Sequence, residues 1–256
     1  MTQKLLLHGI DTLQCSYYLS APLGSGIDFQ ELARKREELR QLKGKQVLVE
    51  KIGNTEFILA SHGTRSGYPF LITNGDFKIE FGENNSPNFF VTFTSQALWR
   101  ESAHLLHEKF LKWALSIGYE PTQPERISRI DHCFDYHIPM IDFDIVDFVS
   151  RSRKEAKYSE CGEPQTFQLG KGGDIVLIVY DKITEIGQQS DKVWFYTLWG
   201  TDSDVWRIEW RIKKAVLRRF DIRSFQDMKE NLGDLLRYLA EDHDTLRVKS
   251  SDTNRS

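Results

Sequence analysis

The chain has 256 residues, of which 40% are hydrophobic, 28% charged and 12% aromatic. These proportions exclude a disordered chain, and the length suffices for one large or two small domains with a buried core. No apolar run reaches about 18 residues, so no membrane span or membrane partner is expected. The net charge of −3 neither requires nor excludes a nucleic-acid partner.

The first predicted elements are short strands separated by Gly, Asn and Ser residues. Their connections are too short for crossover helices, which indicates an antiparallel meander. The predicted strands are 46–52, 56–61, 69–73, 76–81 and 88–94.

Two helices interrupt this meander. Segment 28–43 has an acidic first turn and is predicted to end at Gly44. Segment 95–118 is predicted to begin with Ser95 as N-cap and to end at Gly118.

The segment 119–125 contains two prolines and is predicted to join two halves of the chain. The predicted organisation is a β-rich half with two helices (1–120), a catalytic half (121–245) and a polar tail or linker (246–256). In the second half we expect strands at 126–138, 165–170, 174–182 and 205–213, a short helix near 143–152, and helical sequence from 214 to 241 broken near 222–224. The fold class is therefore α+β, with antiparallel sheets flanked by helices.

Side chains alternate along a strand, so the strands at 126–138 and 205–213 each pair an apolar face with a face of acids and bases. The strand at 174–182 carries Tyr180 and Lys182 on one face. If the three strands are neighbours, one face collects Asp131, Asp135, Tyr180, Lys182, Arg207, Glu209 and Arg211. The same alternation occurs in a half-exposed sheet without any site, where Arg–Asp and Arg–Glu pairs are ordinary stabilising neighbours.

This set of residue types has a chemical logic. Carboxylates on adjacent strands can hold Mg²⁺ or Mn²⁺, which prefer oxygen ligands. A tyrosine beside a cation or base can attack phosphorus as a covalent nucleophile, while basic side chains neutralise phosphate oxygens. The pattern is consistent with a tyrosine transesterase that acts on DNA.

Three motifs in chain order resemble those of the Rep_trans family of replication initiation factors and related relaxases. They are an R-x-D-x-x-x-D strand, a Y-D-K-x-x-E stretch and an R-x-E strand. Here they comprise Arg129, Asp131 and Asp135; Tyr180, Asp181, Lys182 and Glu185; and Arg207 and Glu209. The resemblance covers the chain from about residue 70 to its end, and it indicates a fragment of a longer protein.

The resemblance implies a core like that of the HUH endonucleases, although the chain has no His-hydrophobe-His triplet. It also implies a nickase in which Tyr180 forms a 5′-phosphotyrosine and leaves a free 3′-hydroxyl. Asp131 and Glu209, with Asp135, would hold Mg²⁺ or Mn²⁺, and Lys182 would contact phosphate. The residues expected to bind DNA are Arg129, Arg207, Arg211, Lys213, Lys214, Arg218 and Arg219.

The implied partners are single-stranded or hairpin origin DNA, a host helicase and a second copy of the chain. The three cysteines are few and widely spaced, which predicts a cytoplasmic protein without a disulfide framework or zinc site.

Three alternatives stay open at this point. The chain could be a DNA-binding module that does not cleave, or a metal-dependent nuclease that activates water. It could also be a carbohydrate- or protein-binding domain that uses exposed Trp199, Trp206 or Trp210, although the alternation places the last two on the buried face.

Overall fold

A computed structural model of the protein describes residues 3–22, 24–42, 47–160 and 162–246. The predicted α+β class with antiparallel strands is confirmed. The described residues form two compact units: the first is drawn from 3–9, 131–160, 162–221 and 229–246, and the second from 10–22, 24–42, 47–130 and 222–228. Strand β1 (Lys4–Tyr17), strand β9 (Arg126–His137) and helix α7 (Phe225–Tyr238) contribute residues to both units.

The second unit contains the meander that the sequence predicts. Its remaining elements are β2 (Leu19–Ser20), α1 (Phe29–Gln41), β3 (Leu48–Ile52), β4 (Thr55–Leu59), β5 (Phe70–Thr73), β6 (Phe77–Phe81), β7 (Phe89–Phe93), α2 (Ser95–Arg100), α3 (Ala103–Ser116) and β8 (Glu120–Pro121). Antiparallel neighbours follow the order β1-β7-β6-β5-β4-β3, and β2 pairs with β8. All five predicted strands are therefore confirmed, and β1 is an addition.

Phenylalanines form the core of the second unit. The register places Phe77 opposite Phe93 and Phe81 opposite Phe89, so that all four side chains share one face of the sheet. Phe110 of α3 packs against this face, with its ring centroid 6.1 Å from that of Phe77. The apolar alternation of these strands thus explains the position of α3 on the sheet.

The helices of the second unit differ in part from the predictions. Asp28 caps α1 through its carboxylate, which accepts the N–H groups of Gln30 and Glu31, while the predicted end at Gly44 lies outside the described residues. The predicted single helix 95–118 is wrong, because Ser102 accepts the N–H of Leu105 and begins a second helix. The predicted glycine at the end of α3 is confirmed, since Gly118 has a φ of +84°.

The first unit contains the strands that carry the predicted site residues. Its elements are β10 (Phe148–Ser150), β11 (Glu155–Glu160), β12 (Glu163–Leu169), β13 (Ile175–Asp181), α4 (Lys182–Gln188), α5 (Trp194–Trp199), β14 (Val205–Lys213), α6 (Lys214–Arg219) and β15 (Asp244–Leu246). A 3₁₀ turn spans Ile145–Asp147, and a π-helix spans Leu239–His243. The strand order is β11-β12-β13-β14-β9, and β10 pairs with β15.

Four predictions for the second half of the chain need correction or comment. The helix expected near 143–152 is wrong, since the 3₁₀ turn there leads directly into β10. The strand predicted for 174–182 ends at Asp181, which caps α4. The break in the helical sequence after residue 214 is confirmed between α6 and α7, whereas residues 247–256 of the predicted tail lie outside the described part of the chain.

Cys15 and Cys133 are buried and are not joined in a disulfide, and Cys161 lies outside the described residues. Within the described ranges, no helix has both the length and the apolar character needed to cross a bilayer.

His132, on the apolar face of β9, is a buried histidine without a complete set of hydrogen bonds. His132 is 5% exposed, and its ring centroid lies 5.0 Å from that of Phe134. Among the described residues, its Nδ1 atom has no hydrogen-bond partner. Burial, with a smaller contribution from His8, lowers the pKa of His132 from 6.5 to about 4. The side chain is therefore neutral in the folded protein near pH 6, where the same side chain is mostly protonated in the unfolded chain.

The free energy of unfolding is expected to fall by about 3 kcal/mol as the pH falls from above 6.5 to about 4. In that interval the unfolded chain binds a proton at His132 that the folded chain does not bind, so acid favours unfolding. His132→Phe keeps the aromatic contact and removes the proton, and it should flatten this part of the profile. Urea titrations at pH 7, 6, 5 and 4 measure the free energy of unfolding of both proteins. An equal decrease with falling pH in the two proteins would contradict the lowered pKa of His132.

Candidate functional site

The predicted adjacency of the three polar strands is confirmed by the order β13-β14-β9. In the antiparallel register, Tyr180 lies opposite Arg207, and Ile178 lies opposite Glu209. Tyr180, Arg207, Glu209 and Arg211 therefore share one face, which we call the Tyr180 face.

Tyr180 is held at this face by a carboxylate. The residue is 9% exposed, and its hydroxyl donates to Oε2 of Glu209 at 3.0 Å. The other oxygen of Glu209, Oε1, accepts from Nε of Arg211 at 2.7 Å. Glu209 thus links a phenol to a guanidinium, and it is placed to accept the phenolic proton.

Arg211 lies between two buried carboxylates. Its Nε atom is 3.8 Å from Oδ2 of Asp131 in addition to its contact with Glu209. Burial acts to lower the pKa of the guanidinium, but the negative charges of Glu209 and Asp131 outweigh burial and raise it. The Arg211 side chain is 42% exposed whereas both carboxylates are almost fully buried, so Arg211 covers them from the solvent side.

Asp135 forms a fully buried ion pair with Arg207. Nε and Nη2 of Arg207 donate to Oδ1 and Oδ2 of Asp135 at 2.7 and 2.9 Å, and neither side chain has any exposed surface. The indole of Trp199 donates to Oδ2 at 2.8 Å, and the guanidinium carbon of Arg207 lies 4.5 Å from the ring centroid of Phe195. Both oxygens of Asp135 are therefore engaged by donors of the protein itself.

Lys182 lies in the first turn of α4 and not on the strand. Asp181 ends β13 and caps α4 by accepting the N–H groups of Ile183 and Thr184. The Lys182 ammonium pairs with Glu185 and lies 5.6 Å from the ring centroid of Tyr180. Burial, followed by the positive charge of Arg207, lowers the pKa of Lys182, and the carboxylate of Glu185 acts in the opposite direction. The site thus contains a buried amine next to the phenol.

A cavity of about 200 Å³ reaches the Tyr180 face. Tyr180 and Arg211 line it together with Thr166, Thr184 and Glu185. Tyr180 and Arg211 therefore border the same cavity.

The predicted metal ligands fit a divalent ion only in part. In the part of the chain that the structure describes, no group of three or more His, Cys, Asp or Glu side chains has the geometry of a metal site. Asp135 is committed to Arg207 and Trp199, while Asp131 and Glu209 face a common cation, the guanidinium of Arg211. An ion held by Asp131 and Glu209 would have to take the place of Arg211.

The remaining predicted DNA-binding residues lie elsewhere. Arg129 belongs to the second unit. Lys213 is the last residue of β14, and Lys214, Arg218 and Arg219 are exposed on α6. Of these α6 residues, Arg219 lines a second and larger cavity.

The sequence did not reveal the aromatic residues that support the site. Phe195 and Trp199 belong to α5, a segment rich in aromatic residues for which no helix was predicted, and Trp199 is buried rather than an exposed binding surface. Gly200, with a φ of +69°, follows the last turn of α5 and was the available signal for a helix end.

Comparison of the chain with known protein families and with curated proteins found no match.

Proposed function

We propose that the protein nicks one strand of DNA by transesterification, with Tyr180 as the nucleophile. The observation that carries this proposal is the hydrogen bond from Tyr180 to Glu209 at the wall of a cavity that Arg211 also lines. A nucleophile, a proton acceptor and a cation that can pair with phosphate are thus in direct contact.

The Tyr180 oxygen would form a bond to the scissile phosphorus while the bond from phosphorus to the 3′ oxygen breaks. The phenolic proton would pass to Glu209, and the leaving oxygen would take a proton from solvent to give a free 3′-hydroxyl. The product is a 5′-phosphotyrosine. The Lys182 ammonium would stabilise negative charge on the phenolate, and the Arg211 guanidinium would stabilise it on the phosphate oxygens.

Asp131 and Glu209 would hold Mg²⁺ or Mn²⁺ if the Arg211 guanidinium moved from between them to a phosphate group in the cavity that Arg211 lines. The exposed fraction of the Arg211 side chain leaves room for that movement. A bound ion would polarise the phosphodiester. In this arrangement Asp135 does not bind the ion but holds the buried guanidinium of Arg207 in place.

The proposed substrate is single-stranded or hairpin origin DNA. The motifs that resemble those of Rep_trans proteins contain the same residues, Asp131, Tyr180, Lys182 and Glu209, that form this cluster or border it. A host helicase and a second copy of the chain as partners stay predictions.

The second candidate function is a DNA-binding module that does not cleave. The burial of Tyr180 and the position of Arg211 between the two carboxylates favour it, because both features stabilise a sheet without any reaction. Such a protein would bind the same DNA without forming a covalent product.

The deciding experiment incubates the protein with a panel of single-stranded and hairpin DNAs in the presence of Mn²⁺, followed by denaturing gel electrophoresis. The expected result is an SDS-resistant protein–DNA adduct together with a DNA fragment that a polymerase can extend, both lost when EDTA is added. DNA binding without an adduct would support the second candidate, and the absence of both binding and adduct would overturn both.

A further inference from the structure

A larger cavity, of about 410 Å³, lies in the first unit next to the tight turn between β12 and β13. Its volume is within the range of roughly 300–1,000 Å³ that is typical of small-molecule sites, whereas the cavity at Tyr180 is smaller. Ile175, at its edge, is five residues before Tyr180, which corresponds to about 17 Å along β13. The two cavities are therefore separate places on the same strand.

The lining of this cavity is strongly basic in a chain whose net charge is −3. Arg153, Lys154, Lys171 and Arg219 contribute four permanent positive charges, against one carboxylate from Asp174. Among the described residues, Arg153, Lys154 and Arg219 form no ion pair, and Lys171 contacts only the hydroxyl of Tyr158, at 3.3 Å. The positive charge is thus not neutralised within the described protein, and the cavity favours an anion.

The turn at the cavity requires glycine and provides free backbone donors. Gly170 has a φ of +79°, and a Cβ there would lie 2.3 Å from the carbonyl oxygen of Ile175. Gly172 has a φ of +81° and faces open space. Within the described residues the N–H groups of Lys171 and Gly172 donate no hydrogen bond, so both are available to a ligand.

His243 lines the cavity and is oriented by a buried acid. Its Nδ1 atom lies 2.9 Å from Oδ2 of Asp244, whose side chain is 1% exposed. The hydroxyl of Ser150 and the indole of Trp210 also donate to this carboxylate, Trp210 at 3.1 Å. The contact to Asp244 leaves Nε2 as the ring nitrogen for a ligand. His243 ends the π-helix, an irregular turn of a kind that frequently marks functional sites.

We propose that this cavity is a second site that binds a phosphate group carried by a nucleotide, either free or as a link in a single DNA strand. Lys154, Lys171 and Arg219 pair with the phosphate oxygens, and His243 donates or accepts through Nε2. The site uses neither Tyr180 nor Glu209, so it does not depend on strand cleavage.

The test follows the amide signals of Gly170, Gly172 and Gly173 by NMR while the whole chain is titrated with dTMP, thymidine or the octamer d(T)8. We expect saturable shifts with dTMP and d(T)8 and none with thymidine. Equal affinity for dTMP and d(T)8 would identify a free nucleotide as the ligand. Tighter binding of d(T)8, weakened by salt, would identify the DNA backbone. No saturable shift with either phosphate ligand, or equal shifts with thymidine, would overturn the proposal.

The variants separate a defined pocket from general electrostatic attraction. Lys154→Gln combined with Lys171→Gln should weaken binding by about tenfold or more, since each change removes a charged hydrogen-bond donor. Lys229→Gln, an exposed lysine of α7 outside the cavity, is the matched control and should bind like the wild type. His243→Asn replaces the ring while keeping a donor for Asp244, and it should also weaken binding. An equal loss of affinity in the Lys229 variant would contradict a defined site.

The Tyr180→Phe variant should show the same glycine shifts on titration as the wild type. Failure of this proposal is therefore distinguishable from failure of the nicking proposal.

Discussion

The Tyr180→Phe variant is expected to form no covalent DNA adduct while it retains the fold and the binding of DNA. The substitution removes only the hydroxyl, which is the proposed nucleophile and the donor to Glu209. Glu209 keeps its contact with Arg211, so the loss in stability should be about 1 kcal/mol. Gel detection of the adduct and thermal unfolding measure the two effects separately.

Tyr196→Phe is the matched control, because Tyr196 lies on α5 in the same unit and does not line the Tyr180 cavity. It should form the adduct at the wild-type rate. Glu209→Gln tests the proton acceptor and should slow adduct formation by about 10²–10⁴-fold. An adduct that persists in Tyr180→Phe would leave strand cleavage in place and remove Tyr180 as its nucleophile.

The Asp135→Asn variant is expected to lose about 3–5 kcal/mol of stability, because it leaves the buried guanidinium of Arg207 without its counter-charge. Neither side chain of the pair has exposed surface, so water cannot replace the lost partner. Urea unfolding at neutral pH measures the loss.

Two further variants test whether burial of the ion pair causes this loss of stability. The exposed pair of Asp234 and Arg237 on α7 provides the matched control, and Asp234→Asn should cost less than about 1 kcal/mol. The double variant Asp135→Leu with Arg207→Met removes both charges and should recover much of the stability. If Asp135→Asn costs no more than Asp234→Asn, the buried pair does not stabilise the first unit in the way described.

The sequence predicted which side chains share a face but not which of them pair. Strand alternation is strict, so Tyr180, Glu209 and Arg211 could be assigned to one face once β13 and β14 were neighbours. Alternation carries no information about pairing within that face. The bond of Asp135 to Arg207, and the position of Arg211 between Asp131 and Glu209, depend on distances that only the folded sheet defines.

Boundaries and short helices were predicted less well, for local reasons. Lys182 was extrapolated onto the strand because the period of two continues through it, whereas Asp181 has the side chain that begins a helix. Strand β1 alternates polar and apolar residues only in its second half, from Thr12 to Tyr17, and its 14 residues were not predicted as one strand. The sites at element ends were therefore harder to predict than the faces of long strands.

The direct passage from β13 into α4 at Asp181 affects the entropy of the site. Because no loop separates Tyr180 from Lys182, the main chain of both residues is already restricted by regular hydrogen bonding. Their relative placement is established when the protein folds, and little further ordering is required when a phosphate arrives. Because the site is preorganised, the binding energy of a DNA strand is not consumed in ordering the protein. That energy can instead hold the scissile phosphate against the reacting phenol.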